Sequence, residues 1–558
     1  MWLERYASPV PPCESTCRSV SGQLTLQQEQ LIDHISSFLT SEDLENTLTV
    51  NRAYNAAAER LSGTFSSFDL TEHNSQTFIT IYGGPRLRQL YQVVFRTSFP
   101  PILDAAVGGL ACRETTQELQ EKDECFSSQI GLLFSTLKAA ELRAAKPAPR
   151  RTKIVIHSPT RQIGKQMLRG CRHRMDISWR VRLLAPESLP ELRFVRSLQV
   201  DQGDPTITPL RGTEISKLDL RMIVDLAKKL PNLEFVGCQL GQGEVCPKYV
   251  GRSRFWAHYE NDWEGPRRDT RHHFAEAVES FCLPSTMERV RLDFLDNYDM
   301  QIEHLDQRDD MPDLVGPAKR DPFSSSLCTL SHSLRILELR GIVDSNLFER
   351  HCDDQTPWPN LESLEIMFWP ISPSGAWYFQ GPNGEGGQSI SYSVTEDHYP
   401  PLGPNTNDVV HDEYLEDRGR SDDNTVGGAG FRITPNDRVL VPFLTAFARA
   451  ASRMPKLKDA SVWCPLVCYR DEEGVSLHGS LYEHLNDLSL AWGITYDKPS
   501  LPTPRKLAWR VSTWRPDEKL HVLFRDIGRI QHGDELEEEW TDDQTGDDLV
   551  SREFFSYY

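Results

Sequence analysis

Six short segments of this chain share one spacing of apolar residues, at relative positions 1, 4 and 6. The six sets are Val195/Leu198/Val200, Leu233/Val236/Cys238, Met287/Val290/Leu292, Leu334/Leu337/Leu339, Leu361/Leu364/Ile366 and Leu457/Ala460/Val462. The last two apolar positions lie two residues apart, which is the period of a strand with one buried face. Because 39 % of the residues are hydrophobic, chance alone gives this spacing at roughly 6 % of positions, so the spacing needs support from its context.

The residues that precede these sets supply that support. Pro231, Pro359 and Pro455 each stand two positions before the first apolar residue of a set. Several sets also follow apolar residues at helical spacing, as in 222–230 and 443–447. Proline ends a helix, a short turn follows and a strand begins. The pattern therefore predicts helix–turn–strand units of the kind found in leucine-rich-repeat-like α/β arrays.

The spacing between units predicts an irregular array with long insertions. Regular leucine-rich repeats run about 20–29 residues, whereas these sets begin between 27 and 96 residues apart. We expect the array to span 151–470, with its largest insertion at about 381–430. That stretch is polar and holds few residues that could be buried, so we predict a mobile loop. Its glycine cluster at 381–387 lacks a following Lys-Ser/Thr pair, which favours a linker over a phosphate-binding loop.

The remaining segments differ in composition. Residues 1–23 contain clustered prolines and read as a flexible leader, and residues 24–70 read as a compact module of three helices. Residues 71–150 are expected to form a helical linker region. Residues 471–558 form a C-terminal segment with an acidic run at 534–539. We interpret that run as a solvated tail, with a partner-binding tail as the alternative.

Charge and cysteine use narrow the function classes. The formal net charge of −20 disfavours nucleic acid and anionic membranes as partners. No secretory signal and no apolar stretch of about 20 residues is visible, so we expect a cytoplasmic or nuclear protein with no membrane partner. The 12 cysteines are scattered, which favours reduced thiols over a disulfide framework.

The sequence predicts no metal, no cofactor and no catalytic group. Cys13/Cys17 and Cys464/Cys468 have equal spacing, but they lie at opposite ends of the chain, which favours unrelated thiols over zinc ligands. The adjacent pair His272-His273 suits joint metal ligation poorly. No serine-histidine-acid, cysteine-histidine or paired-carboxylate set can be picked out, which lowers the expectation of an enzyme.

The module at 24–70 resembles an F-box. Apolar positions at Leu31, Ile35 and Leu39 match the first helix of that family, and Asp43-Leu44 matches its Asp-Leu step. Leu48, Val50 and Arg52 match its Val-x-Arg/Lys-type third helix, and Tyr54 lies near a position where an aromatic is usual. The module departs from the family at its start, where Gln27 follows Leu26 in place of proline. An F-box followed by degenerate leucine-rich repeats resembles a large group of filamentous-fungal proteins of this size.

The resemblance implies an α/β protein in which a three-helix F-box-like module precedes an irregular leucine-rich-repeat-like solenoid. It further implies a substrate-recognition subunit of a cullin-based ubiquitin ligase. The module would bind a Skp-type adaptor, and the repeat region would hold a target protein. The implied adaptor-binding residues are Leu31, Ile32, Ile35, Leu39, Asp43, Leu44, Leu48 and Val50. Any one of the apolar residues could instead belong to the interior of the module.

Two other functions remain open from the sequence. The module could be a structural cap on a repeat scaffold that binds no adaptor, because repeat arrays need capping units at their ends. The α/β region could also be an enzyme with a site at its strand ends. An enclosed pocket with converging acids, bases or a metal would favour the enzyme over an open binding surface.

Overall fold

A computed structural model describes most of the chain, in two compact units that divide between Ser67 and Phe68. The described residues are 26–103, 111, 113–144, 152–164, 179–202, 213–240, 263–295, 302, 305, 307–349, 358–403, 406, 408, 430–467, 490–500, 503–541, 550–551 and 555. The predicted leader at 1–23 lies outside these residues. Among them, no helix is long and apolar enough to cross a membrane.

The described part of the first unit contains three helices: α1 (Leu26–Ser36), α2 (Ser41–Thr47) and α3 (Arg52–Ser62). The Thr40 side chain caps α2 by accepting a hydrogen bond from the Asp43 backbone N–H at 3.2 Å. Asn51 caps α3 in the same way, since its side chain accepts from two backbone N–H groups of the first turn. Gly63, in a left-handed conformation with φ of 67°, ends α3. Local capping chemistry therefore fixes where these helices begin and end.

In its described residues, the second unit combines eight helices with a large mixed sheet. Its helices are α4 (Ser75–Tyr82), α5 (Thr116–Arg143), α6 (Arg221–Ala227), α7 (Glu264–Glu279), α8 (Pro322–Ser331), α9 (Asp437–Ala451), α10 (Glu518–Arg525) and α11 (Arg529–His532). The strands are β1 (Ser67–Leu70), β2 (Gln92–Ser98), β3 (Thr152–Gln162), β4 (Val195–Asp201), β5 (Thr213–Ile215), β6 (Phe235–Gln239), β7 (Arg289–Asp293), β8 (Pro312–Asp313), β9 (Ile336–Gly341), β10 (Ser363–Phe368), β11 (Phe379–Gln380), β12 (Tyr392–Ser393), β13 (Thr434–Pro435), β14 (Asp459–Leu466), β15 (Leu490–Asp497), β16 (Arg505–Arg510), β17 (Leu536–Trp540) and β18 (Val550–Ser551).

The main sheet follows the order of the chain. Its strands run β1-β2-β3-β4-β6-β7-β9-β10-β14-β15-β16-β17, with β5 beside β3 and β18 beside β15. Every neighbouring pair from β2 to β14 is parallel. β15 then pairs antiparallel with both β14 and β16, and β17 is parallel to β16. The fold is therefore α/β with a mixed sheet.

The apolar residues of the six sets form two continuous rows across the parallel strands. The first row is Val93, Ile154, Leu198, Val236, Val290, Leu337, Leu364 and Ala460. The second row is Phe95, Ile156, Val200, Cys238, Leu292, Leu339, Ile366 and Val462. All of these residues are buried, and the first apolar residue of each set is buried as well. Residues that share a position in the sequence pattern thus lie side by side on neighbouring strands of the sheet.

The two faces of the sheet differ in polarity. Between the apolar rows, the opposite face carries partly exposed residues such as Arg289, Arg291 and Glu338, which pair at 2.6 and 3.5 Å. Helix α7 packs between α6 and α8, and α9 packs against α10. Because the apolar rows are fully buried, these helices cover the face that carries them. The other face remains partly open to solvent along β7 and β9.

The insertion predicted at 381–430 is partly packed. β11 pairs with β13 and β12 pairs with β8, so residues 381–403 run between paired strands. The buried Arg432 donates hydrogen bonds to the carbonyl oxygens of Phe379 and Gly386, at 3.3 and 2.8 Å. Paired strands and the buried donor Arg432 therefore hold parts of 381–403, and the mobility of the insertion stays a prediction. Residues 409–429 lie outside the described part.

The structure also differs from the predicted segments on either side of the array. The predicted helical linker at 71–150 contains β2, which belongs to the main sheet. The acidic run at 534–539 includes most of β17 and is not a free tail. Its carboxylates are neutralised by neighbouring cations: Glu539 pairs with Lys506 and Arg510, and Glu538 pairs with Arg525. Trp540 of the same strand stacks on Trp509 with ring centres 4.6 Å apart.

A buried charged cluster joins α7, α8 and the segment after β9. Arg271 of α7 pairs with Asp321 at 2.9 Å, and both side chains are fully buried. Asp321 also caps α8 by accepting from the Ser324 backbone N–H at 2.9 Å. Burial, followed by the nearby Asp321 carboxylate, raises the pKa of Asp344 to about 6. The folded protein therefore binds a proton at Asp344 more tightly than the unfolded chain does.

We expect Ile494→Ala to lower the free energy of unfolding of the α/β unit by ~2–5 kcal/mol, because it opens a cavity between Val462 and Trp509. Thr495→Ala is the matched control: its side chain is on the opposite face and half-buried, and we expect a loss below ~1 kcal/mol. Urea unfolding followed by tryptophan fluorescence measures both. Equal losses for the two variants would contradict the assignment of faces.

We expect Asp344→Asn to change the pH dependence of stability. The raised pKa means that the wild-type protein loses stability as pH rises from about 4 to about 6, because in this range the unfolded chain has released the proton that folded Asp344 still holds. Asparagine keeps a carbonyl acceptor for the Asn346 N–H but carries no charge. The melting temperature of the variant relative to wild type should therefore be higher at pH 7.5 than at pH 4.5. A larger relative gain at pH 4.5 would be inconsistent with this sign.

Candidate functional site

The first unit carries an exposed apolar surface. Leu31 and Ile35 lie one turn apart on α1, and Phe38 lies in the turn that follows the helix; their exposed fractions are 59 %, 43 % and 76 %. Val50 and Leu61 are exposed as well, at 62 % and 41 %. Burying apolar area of this kind against a partner is favourable by about 25 cal/mol per Å². Several exposed large apolar side chains on so small a unit are typical of a protein-binding surface.

The predicted adaptor-binding residues separate into three groups. Leu31, Ile35, Asp43 and Val50 are exposed; Ile32, Leu39 and Leu48 are half-buried; Leu44 is buried. Leu44 is thus an interior residue of the unit, which is the alternative that the sequence left open. Phe38 was not among the predicted residues, although its spacing of three from Ile35 and seven from Leu31 carried the signal.

A second candidate site is a cleft in the α/β unit. It has a volume of about 400 Å³ and is lined by residues of α5, of 179–184, of the segment before α6, of α7 and by Leu402. A smaller cleft of about 210 Å³ adjoins it and shares Arg182, Leu184, Asp219 and His273. The combined space lies in the size range of small-molecule sites.

A histidine–aspartate pair lies between the two clefts. His273 Nδ1 is 2.7 Å from Asp219 Oδ2, and the Asp219 side chain is almost fully buried. An ionised carboxylate only accepts hydrogen bonds, so Nδ1 carries a proton. Thr270 Oγ1 and the Arg221 backbone N–H also donate to Asp219, at 3.3 and 3.0 Å. Asp219 is therefore held in place by several donors, and it fixes the orientation of the imidazole.

Electrostatics in the cleft favour a protonated His273. The hydrogen bond from His273 to Asp219 raises the pKa of the imidazole, and burial opposes the rise. The neighbouring His272 behaves oppositely: burial lowers its pKa, although the side chain contacts the Leu314 carbonyl oxygen at 3.2 Å. Burial also raises the pKa of Asp123, whose carboxylate accepts the Arg182 backbone N–H at 2.8 Å. Two adjacent histidines on α7 thus have different protonation behaviour.

The cleft floor contains a buried ion cluster. Lys122 of α5 pairs with Glu114 at 2.5 Å and with Glu214 at 3.3 Å, and all three side chains are buried. Burial raises the pKa of Glu214, and the Lys122 charge opposes that rise. The Lys122 charge is therefore neutralised within the protein and is a poor counter-ion for a ligand.

The sequence offered no signal for the pairing of Asp219 with His273. The two residues are 54 positions apart, and only the packing of α7 against α6 brings them together. Among the described residues, no group of three histidine, cysteine or acidic side chains could hold a metal ion. Cys464 is buried. Cys13, Cys17 and Cys468 lie outside the described residues.

We expect Asp219→Asn to lower the pKa of His273, because the hydrogen bond to Asp219 is the largest cause of its raised value. His272 is the internal control, since burial and not Asp219 dominates its pKa. NMR titration of histidine-labelled protein measures both groups in one sample. An unchanged pKa for His273, or an equal shift at His272, would contradict the pairing.

Comparison with known proteins gives no further guide to these two surfaces. No protein-family model matches the chain, and no curated protein matches it.

Proposed function

We propose that this chain is a substrate-recognition subunit of a cullin-based ubiquitin ligase, with a three-helix unit that acts as an F-box and binds a Skp-type adaptor. The observation that carries the proposal is the exposed apolar stripe of Leu31, Ile35 and Phe38. Amphipathic helices bind partner grooves through anchors at this spacing. Val50, exposed in the same unit, adds to the apolar surface.

The α/β unit is proposed to be an irregular leucine-rich-repeat-like array that holds a target protein. Two features support this part. Consecutive parallel strands keep one register, and helices α6 to α8 pack side by side in chain order. Stacked units of this kind present wide surfaces to macromolecular partners. In this proposal the partly open face with Arg289, Arg291 and Glu338 provides that surface.

In this proposal the chain binds and presents a target and contributes no chemical step itself. It would work in the cytoplasm or the nucleus, where ubiquitin ligases of this class act. A repeat scaffold with a vestigial F-box is the alternative, and the two differ in one property: only the first requires adaptor binding through 24–70.

We expect Leu31→Glu to weaken capture of a purified Skp-type adaptor at least tenfold, because it places a charge in the apolar surface. Leu142→Glu is the matched control, since Leu142 is also an exposed leucine on a helix, at 73 %. Surface plasmon resonance with immobilised adaptor compares the variants, and circular dichroism checks their folding. If the wild-type chain fails to bind the adaptor, or if both variants bind like wild type, the F-box assignment is wrong.

A further inference from the structure

The cleft between α5 and α7 presents hydrogen-bond donors that its own acceptors do not use. His273 Nε2 has no hydrogen-bond partner among the described residues, because the Asp219 contact engages only Nδ1. The indole N–H of Trp179, in the wall of the same cleft, likewise has none within the described part of the chain. The Arg182 side chain is 57 % exposed and reaches Asp219 only at 3.9 Å. His273 Nε2 donates only in the imidazolium, the form that the Asp219 contact favours, and in that form three donors border one space.

Each carboxylate that borders the cleft already accepts at least one hydrogen bond. Asp219 accepts from His273 and Thr270. Asp269 accepts from the Tyr399 hydroxyl at 2.8 Å and from Arg268 at 3.2 Å. Asp123 accepts from the backbone at Arg182. An anion in the cleft would find open donors.

Most of the remaining wall surface is apolar. The apolar lining consists of Leu119, Val181, Leu184, Pro266 and Leu402, together with the Trp179 ring. The Trp179 ring lies 6.2 Å from the Tyr399 ring, centre to centre. Small-molecule sites combine a mostly apolar wall with a few placed polar groups that set orientation. Both requirements are met here.

We propose that this cleft binds a small organic acid with an apolar body, whose carboxylate lies against His273 Nε2 and the Arg182 guanidinium. The body of the ligand occupies the space between Leu119, Leu184 and Trp179. This inference is independent of the proposed ubiquitin-ligase function, because it uses only residues of the α/β unit. The Lys122 charge takes no part, since Glu114 and Glu214 neutralise it.

The test uses 1-naphthoate and its uncharged equivalent 1-naphthamide as probes of the full chain, with isothermal titration calorimetry as the readout. We expect 1-naphthoate to bind saturably at one site and 1-naphthamide to bind at least tenfold more weakly. The two probes have nearly the same shape, so the difference reports on the carboxylate. Absence of saturable naphthoate binding, or equal binding of the two probes, overturns the proposal.

Variants locate the site. His273→Gln should weaken naphthoate binding at least tenfold. The matched control is His521→Gln, because His521 is a half-exposed histidine that also contacts a carboxylate, Glu538, at 2.6 Å. If His273→Gln changes the melting curve, the decisive variant is Leu184→Glu. Leu184 is 41 % exposed, so glutamate should be tolerated there, and its carboxylate should repel the probe. Naphthoate binding that survives Leu184→Glu, or that falls equally in His521→Gln, refutes this location.

Discussion

The structure depends on one constraint: the apolar side chains of eight parallel strands stand at the same height across the main sheet. A slip of one residue in any strand would bring polar side chains such as Arg291 or Glu338 into the covered face. The position 1-4-6 spacing prevents this slip, because it ties each strand to a buried residue in the preceding turn. The insertions between units can then vary in length without disturbing the register.

This constraint also separates the parts of the molecule that bind from the part that supports them. The covered face of the sheet and the helices α6 to α9 form the core. The cleft with His273 and Asp219 is lined by α5, α7 and the segment before α6. The exposed apolar stripe belongs to the three-helix unit alone. Our proposal therefore assigns adaptor binding to one unit and recognition of other molecules to the other.

The sequence predicted some of these features and missed others for physical reasons. The strands that carry the six sets were predictable, because helix, proline and alternating residues occur together there. The antiparallel strands β15 and β16 were not predicted, since the helix-proline-strand pattern does not precede them in the sequence. The sequence predicted a mobile segment at 381–403, because the contacts that hold parts of it, such as those from Arg432, come from distant residues. The helical period at 31–44 could not show that Leu44 is buried while Leu31 is exposed.

Hydrogen–deuterium exchange on the full chain, with and without a purified Skp-type adaptor, tests the central claim most directly. We expect the adaptor to slow exchange in α1 to α3 and to leave exchange in the strands from β2 to β14 unchanged, because the proposed docking surface belongs to the first unit. Unchanged exchange in these helices at saturating adaptor, or protection confined to the α/β unit, would contradict it.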